Sequence, residues 1–513
     1  MTRANTAGCN RFGITGVLRV MTRFGIRGWW MMVMLAGLQM LAVAEESSAI
    51  LIHTIEELQK IGNDPGFPLN GHYALAADID ASATSGWNGG AGFKPIGTDE
   101  DPFTGTFDGR GYVIRDLVVN RPKEEFAGLF GCVRGCRGEI RNVRLEGGAV
   151  TGASAGFLAG FNEGTIQHCS ASGLVKGRQS VGGLVGVNFG SIRESSASGA
   201  AALMGRETDS TAGGLAGQNY GMIESCSATG AVRGGVGSDV GGLVGKNCDL
   251  TESFDGSGPG VIKNSWAAGP VCCGKEGNAG GLVGSCWQGW IRDCHASGSA
   301  CLEGGYGNAG GLVGLLYDSI LKTSRATGAV CVYGDEGCAG GLAGNFLFGF
   351  IKQCHASAAV RLSGSKGNAG GLTGLSDGDI ENCYADGTVT VAGDNSNAGG
   401  LAGKNHGEIA YSHAVARVTV KGRGANSGGL VGEGEECPIT ACYWNAESTG
   451  QTVSTCGGTA LNETQMRQQT SFEGWDFDGV WIIGKDMRYP RLRWEQEKRE
   501  PERASENPPA GSP

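Results

Sequence analysis

Cys169-Ser170-Ala171-Ser172-Gly173-Leu174-Val175, followed by Val181-Gly182-Gly183-Leu184-Val185-Gly186, is a phrase that the chain repeats many times. In its first half the small or apolar residues fall on alternate positions, which is the spacing of a strand. A helix would lose about 1 kcal/mol at each Gly, so helical repeats are disfavoured. The Leu of the Gly-Gly-Leu block recurs at Leu158, Leu184, Leu215, Leu243, Leu282, Leu312, Leu342, Leu372, Leu401 and Leu430. The steps are 26, 31, 28, 39, 30, 30, 30, 29 and 29 residues, with a weaker copy at Phe126-Ala127-Gly128-Leu129-Phe130-Gly131. The 39-residue step carries an insertion over 248–259, which reads as a surface loop. A period near 30 with one variable loop is the mark of stacked supersecondary units.

The second alternate position is Ala in nine of ten units: Ala171, Ala197, Ala228, Ala267, Ala296, Ala326, Ala356, Ala385 and Ala414. Two or three short strands per unit, turned by Gly at positive φ, fit a parallel β-solenoid in which like residues stack about 4.8 Å apart. The expected fold is therefore all-β: a Gly-rich parallel β-helix of about ten to eleven repeats of ~30 residues, with a cap at each end. A propeller or stacked hairpins are the alternatives. The first alternate position is Cys169, Cys226, Cys294, Cys354, Cys383 and Cys442 in six units and Ser195, Ser265, Ser324 and Ser412 in four. Cys and Ser share size, so this reads as a buried small-residue ladder chosen for volume. A zinc ladder is disfavoured because Ser cannot replace a thiolate.

The ends of such an array must be covered. Residues 45–125 read as the first cover: Thr54-Ile55-Glu56-Glu57 is a capping box, Tyr73, Leu75, Ala77 and Ile79 alternate as a strand, and Asp108-Gly109 offers a hairpin turn. The repeats occupy 126–445. Residues 446–494 hold Phe472, Trp475, Phe477, Trp481 and Trp494 and read as an aromatic plug over the final coil, with 495–513 a charged, Pro-rich disordered tail.

At the other terminus Arg23 and Arg27 precede an apolar run that closes on Ala42-Val43-Ala44. Residues 1–44 read as a signal peptide cut after Ala44, starting at Met1 or Met21, with no membrane span in the mature chain. The chain of 513 residues has 95 Gly, against roughly 36 at ordinary usage, but only 13 Pro and no Gly-X-Y period, which excludes collagen. Its net charge of −10 becomes −15 without the five Arg of the leader, a poor balance for nucleic acid.

The blocks from Val181 through Asn188-Phe189-Gly190-Ser191-Ile192 and from Ala398 through Asn405-His406-Gly407-Glu408-Ile409 resemble the GLUG motif. The flanks Phe93-Lys94-Pro95-Ile96-Gly97, Phe103-Thr104-Gly105-Thr106-Phe107-Asp108-Gly109, Trp475-Asp476-Phe477 and Tyr489-Pro490-Arg491-Leu492 are similar to segments that accompany it. The resemblance spans roughly 50–494 and departs at Leu315 and Leu375, where the Asn after the block is lost, and at the insertion near Cys248. GLUG motifs occur in bacterial secreted and surface proteins, including filamentous-haemagglutinin-like adhesins and the non-catalytic part of immunoglobulin A1-specific metallopeptidases. The resemblance implies an exported bacterial repeat protein and no reaction.

None of the seven His is followed by Glu, so the His-Glu-x-x-His of a zinc peptidase is missing, as are a nucleophile elbow and a phosphate loop. Asp377, Asp379 and Glu381 are the densest carboxylates and a weak Ca²⁺ candidate, set against solvated turn residues. The residue after the Cys/Ser position faces outward: Trp266, His295, Arg325, His355, Tyr384, His413 and Tyr443 in successive units. This stripe is the candidate ligand surface, for a glycan or an extracellular protein. Cys272, Cys301 and Cys331 share a second register, and Cys437 or Cys442 could pair with Cys456. The favoured function is a non-enzymatic exported binding scaffold without a cofactor. The alternatives are a polysaccharide-active β-helix enzyme and an inert envelope spacer.

Overall fold

The computed structural model describes residues 49–496, leaving out 136, 206–207, 250–259 and 485–486. The leader expected over 1–44, the insertion loop over 250–259 and the tail beyond 496 lie outside the described residues.

One coil shows how the rest are built. Strands Ser180–Gly182, Val185–Asn188, Ser191–Arg193, Ser196–Ala197 and Ala201–Leu203 follow one another around the axis. Each pairs in parallel with its counterpart one coil on, as Ser180 with Thr211, Val185 with Ala216, Ile192 with Ile223, Ala197 with Ala228 and Ala201 with Val232. The result is a β-solenoid of about 12 turns with a 23-stranded sheet made of two side-by-side ladders, a 14-stranded sheet and two of 11 strands. Ala296, Ala326 and Ala356 are consecutive in register and buried in one core, which a propeller or stacked hairpins cannot produce.

The glycines of the Gly-Gly-Leu block do a different task from the one their type suggests. Neither Gly182 nor Gly183 has positive φ. A Cβ on Gly182 would lie 1.9 Å from the Val185 carbonyl oxygen, and one on Gly183 would lie 2.1 Å from that of Gly214. They are Gly because adjacent coils touch backbone to backbone there. The positive-φ corners fall instead on the residue before the Cys/Ser ladder, whatever its type: His168, Glu194, Ser225, Asn264, Asp293, Thr323, Gln353, Asn382, Tyr411 and Ala441.

The ladder explains how such unsuited residues hold that conformation. All ten Cys and Ser donate a hydrogen bond to the carbonyl two residues back, across the corner. Examples are Cys294 to Arg292 at 3.0 Å and Ser324 to Lys322 at 2.7 Å. Four of the Ser hydroxyls also accept the N–H of the ladder residue one coil earlier, as Ser265 does from Cys226 at 3.1 Å. The position selects for a small side chain that donates, so volume alone is not the criterion. Burial pushes the thiols of Cys169, Cys226 and Cys442 up to about 12, which keeps them protonated.

A second internal ladder joins side-chain amides. Asn162 donates to Asn188 and Asn188 to Asn219 at 2.8 Å, and Asn219 donates to Asn247 at 2.7 Å, all four fully buried. Cys286, Leu316, Phe346 and Ser376 occupy the same register further along. These four are the residues that replace Asn; Leu315 and Leu375 stand one position before Leu316 and Ser376 and face out.

At the N-terminal end Thr54 caps helix Ile55–Lys60, its hydroxyl accepting the Glu57 N–H at 3.2 Å, while Glu57 reaches back to the His53 N–H at 2.7 Å. Ile50–Ile52, His72–Leu75 and Thr106–Asp108 then pair in parallel as successive strands of the largest sheet. No hairpin forms at Asp108-Gly109: Thr106–Asp108 and Val113–Arg115 lie in different sheets, because the chain turns a solenoid corner there. Phe103, Phe107 and Phe130 fill this end, with ring centroids 5.0 and 5.5 Å apart.

The C-terminal segment divides in two. Trp444 replaces the ladder Ala and plugs the axis, its Nε1 donating to the Gln451 carbonyl at 2.9 Å. Thr459–Leu461 adds the last parallel strand, and Cys437 is bonded to Cys456 while Cys442 stays in the Cys/Ser ladder. From Phe472 onward the chain leaves the end and runs back along the side of the stack, so it is a strap rather than the expected plug. Glu495, assigned from sequence to the disordered tail, is buried beneath it. No helix among the described residues is long and apolar enough to cross a membrane.

Candidate ligand-binding face

Strand register brings Trp266, His295, Arg325, His355, Tyr384, His413 and Tyr443 into one column on the 14-stranded sheet. Their rings stack: Trp266 on His295 at 5.8 Å, His355 on Tyr384 at 4.8 Å, and Tyr384 on His413 at 5.1 Å. The column splits by exposure. Trp266, His295 and Arg325 are half-buried, whereas His355, Tyr384, His413 and Tyr443 are buried under the strap.

The strap meets those four in reverse order. Phe472 lies against Tyr443 at 5.1 Å, Trp475 against His413 at 5.9 Å, Trp481 against Tyr384 at 6.2 Å and Trp494 against His355 at 5.8 Å. Polar contacts fix the match: the Trp481 indole donates to Asn382, the Trp494 indole to the Gln353 carbonyl, and His413 Nε2 lies 3.0 Å from the Pro490 carbonyl oxygen. Burial holds the His413 imidazole down to about 4, so it is neutral, and raises the Glu495 carboxyl.

An open ring surface lies around the corner, on the largest sheet. From Leu282 to Cys294, Leu312 to Ser324 and Leu342 to Cys354 the chain takes 12 residues, against 11 from Leu184 to Ser195 and from Leu372 to Cys383. The extra residue is Gln288, Asp318 or Phe348, each at positive φ, and works as a bulge between the two ladders. On one side Trp287 and Tyr317 are in register with ring centroids 4.6 Å apart, and the Lys246 ammonium sits 5.5 Å over the Trp287 ring. On the other side Trp290, Ile320 and Phe350 form a column that is 49%, 39% and 55% exposed.

Two residues on, past buried Ile291, Leu321 and Ile351, the outward column is cationic: Lys263, Arg292, Lys322 and Lys352. Its outer members are ion-paired, Lys263 with Glu224 and Lys352 with Glu381, both at 2.8 Å. Among the described residues no carboxylate pairs with Arg292 or Lys322.

Sequence reading missed this face because it followed the residues after the Cys/Ser ladder. The one-residue lengthening of three consecutive units, with rings on either side of it, was the available signal.

The other candidates do not converge. Asp377 accepts from His406 Nδ1 at 2.7 Å, Glu381 is held by Lys352 and Asn382, and Asp379 faces solvent. Among the described residues no three His, Cys, Asp or Glu are grouped to hold a metal ion. Cys272, Cys301 and Cys331 do stack in register as half-buried free thiols, with Cys272 donating to Glu303 at 2.9 Å.

The family model of the GLUG motif matches residues 177–202, 208–233 and 366–390. Halomucin of Haloquadratum walsbyi is 40% identical over 136 residues, which is 25% of this chain and 2% of halomucin. A protein of Evansella cellulosilytica named as a Gly-rich membrane protein is 38% identical over 124 residues, 23% of this chain and 14% of its own. The chain thus spans a small fraction of the length of the curated relatives it matches. A Bacteroides ovatus crystal structure described as an immunoglobulin A1 protease aligns over 88% of this chain and 94% of its own, at 18% identity and a TM-score of 0.32.

Proposed function

From GLUG segments carried on one continuous solenoid, we propose that the chain is an exported, non-enzymatic scaffold that holds a glycan. The ligand face is the ring surface of Trp287, Trp290, Tyr317, Ile320 and Phe350, with Trp266, His295 and Arg325 adjoining. The observation that carries this reading is the exposure of Trp290, Ile320 and Phe350 in adjacent coils, in one register on the outer side of the largest sheet. Flat and apolar side chains repeated about every 4.8 Å along a rigid axis suit an extended chain of sugar units. The similarity to halomucin and to a protein named for the membrane supports a place at or outside the cell surface.

His355, Tyr384, His413 and Tyr443 are excluded from this face, since the strap already occupies them. Glycan-array binding by the purified mature protein, compared with a Trp290→Ala/Phe350→Ala variant, tests the reading. Binding that the double variant loses, with unchanged unfolding, supports it. No binding to any glycan, or equal binding by the variant, overturns it. N-terminal sequencing of the secreted product should begin at Glu45.

A further inference from the structure

We infer that the glycan held on this face is acidic, a polymer bearing carboxylates or sulfates along its length. The inference rests on the glycan reading above and adds the ligand's charge. The chain is acidic as a whole, and several of its cations are spent on carboxylates in a neighbouring coil: Arg115 with Asp78, Arg141 with Asp108, Lys366 with Glu336, Lys404 with Glu433.

The column beside the rings instead stacks cation on cation. Lys263, Arg292, Lys322 and Lys352 place four cations in four consecutive coils, and only the two outer ones are paired. Arg292 and Lys322, together with Arg325 on the adjoining face, lack an ion-pair partner among the described residues. They stand in the same coils as exposed Trp290 and Ile320, two residues away on the same side of the strand. An apolar strip and a parallel cationic strip therefore run side by side along the axis. Sugar-ring faces can lie on the first while acidic substituents meet the second.

Asp318 lies on the far side of the ring column, where it accepts from Gln288 at 3.2 Å, and Asp293 accepts from Thr323 at 2.9 Å.

The experiment compares polygalacturonate and chondroitin sulfate with neutral xyloglucan, for the wild type, Arg292→Gln/Lys322→Gln and Trp290→Ala/Phe350→Ala. Both acidic polymers should bind the wild type more tightly than xyloglucan, and the preference should shrink as salt is raised. Arg292→Gln/Lys322→Gln should weaken acidic-polymer binding about tenfold, a loss of about 1.4 kcal/mol, and leave xyloglucan binding unchanged. Equal weakening for neutral and acidic polymers, or no weakening, overturns the inference while leaving the glycan reading intact. Loss of none of the glycans in Trp290→Ala/Phe350→Ala overturns the reading itself. Self-association of the wild type, abolished by the ring variant, would assign the face to a second copy of this chain and overturn both.

Discussion

Tyr384 and Glu495 are 111 residues apart in sequence, yet the Tyr384 hydroxyl lies 2.9 and 3.0 Å from the two carboxylate oxygens of Glu495. Glu495 also accepts the Leu492 N–H at 3.1 Å and sits 3.6 Å from Arg491 and 3.4 Å from His355. This buried carboxylate locks the strap to the stack. Tyr384→Phe leaves part of it unsatisfied and should cost about 1–3 kcal/mol. Hydrogen exchange should show the loss over 472–496 and the coils beneath, and none in the N-terminal coils.

Acid should loosen the same region. His413 is neutral when folded, at about 4, against 6.5 ordinarily. Between those values the unfolded chain binds a proton that the folded chain refuses, so stability falls as pH drops through the window, by up to about 3 kcal/mol. Glu495 acts with the opposite sign: burial raises its carboxyl, so its effect weakens folding as pH rises above its ordinary 4.5. The guanidinium of Arg491 keeps its charge throughout. Urea unfolding at pH 7, 5.5 and 4.5 should show the decline in wild type and a flatter profile in His413→Phe.

Gly183→Ala tests the backbone contact between coils. Its Cβ would fall 2.1 Å from a main-chain oxygen that has no room to move. The expected cost is about 3 kcal/mol. Gly86→Ala, where nothing lies within 4 Å, should change stability by less than about 0.5 kcal/mol. Denaturant midpoints of the two variants compare them directly.

Cys226 separates volume from hydrogen bonding. Its Sγ donates to the Glu224 carbonyl at 3.2 Å beside the positive-φ residue Ser225. Cys226→Ser keeps the donor and should cost under about 1 kcal/mol, whereas Cys226→Val fills the space without one and should cost about 1–3 kcal/mol. Equal costs would show that size alone matters there.

The repeat phrase exposed the solenoid because parallel stacking turns sequence period into spatial adjacency, and Ala296, Ala326 and Ala356 could be aligned by counting. Counting also gave the register of the outward column from Trp266 to Tyr443. What it could not give was which part of that column stays open, since the strap reaches His355 from Trp494, 139 residues on, through contacts without a period. Corner residues such as Tyr411 and Ala441 carry no local sign of positive φ, because the neighbouring Cys or Ser imposes it. The ring face was obscured for a related reason: a single added residue changes which side chains point out, and an average repeat hides it.

The strap has a mechanical consequence. In a pile where each layer grips only the next, pulling on one end peels layers singly. A strip that clasps the layers of His355, Tyr384, His413 and Tyr443 together forces those four to come away at once. Force applied from the carboxyl end should therefore meet one tall step before the regular sawtooth of single layers begins.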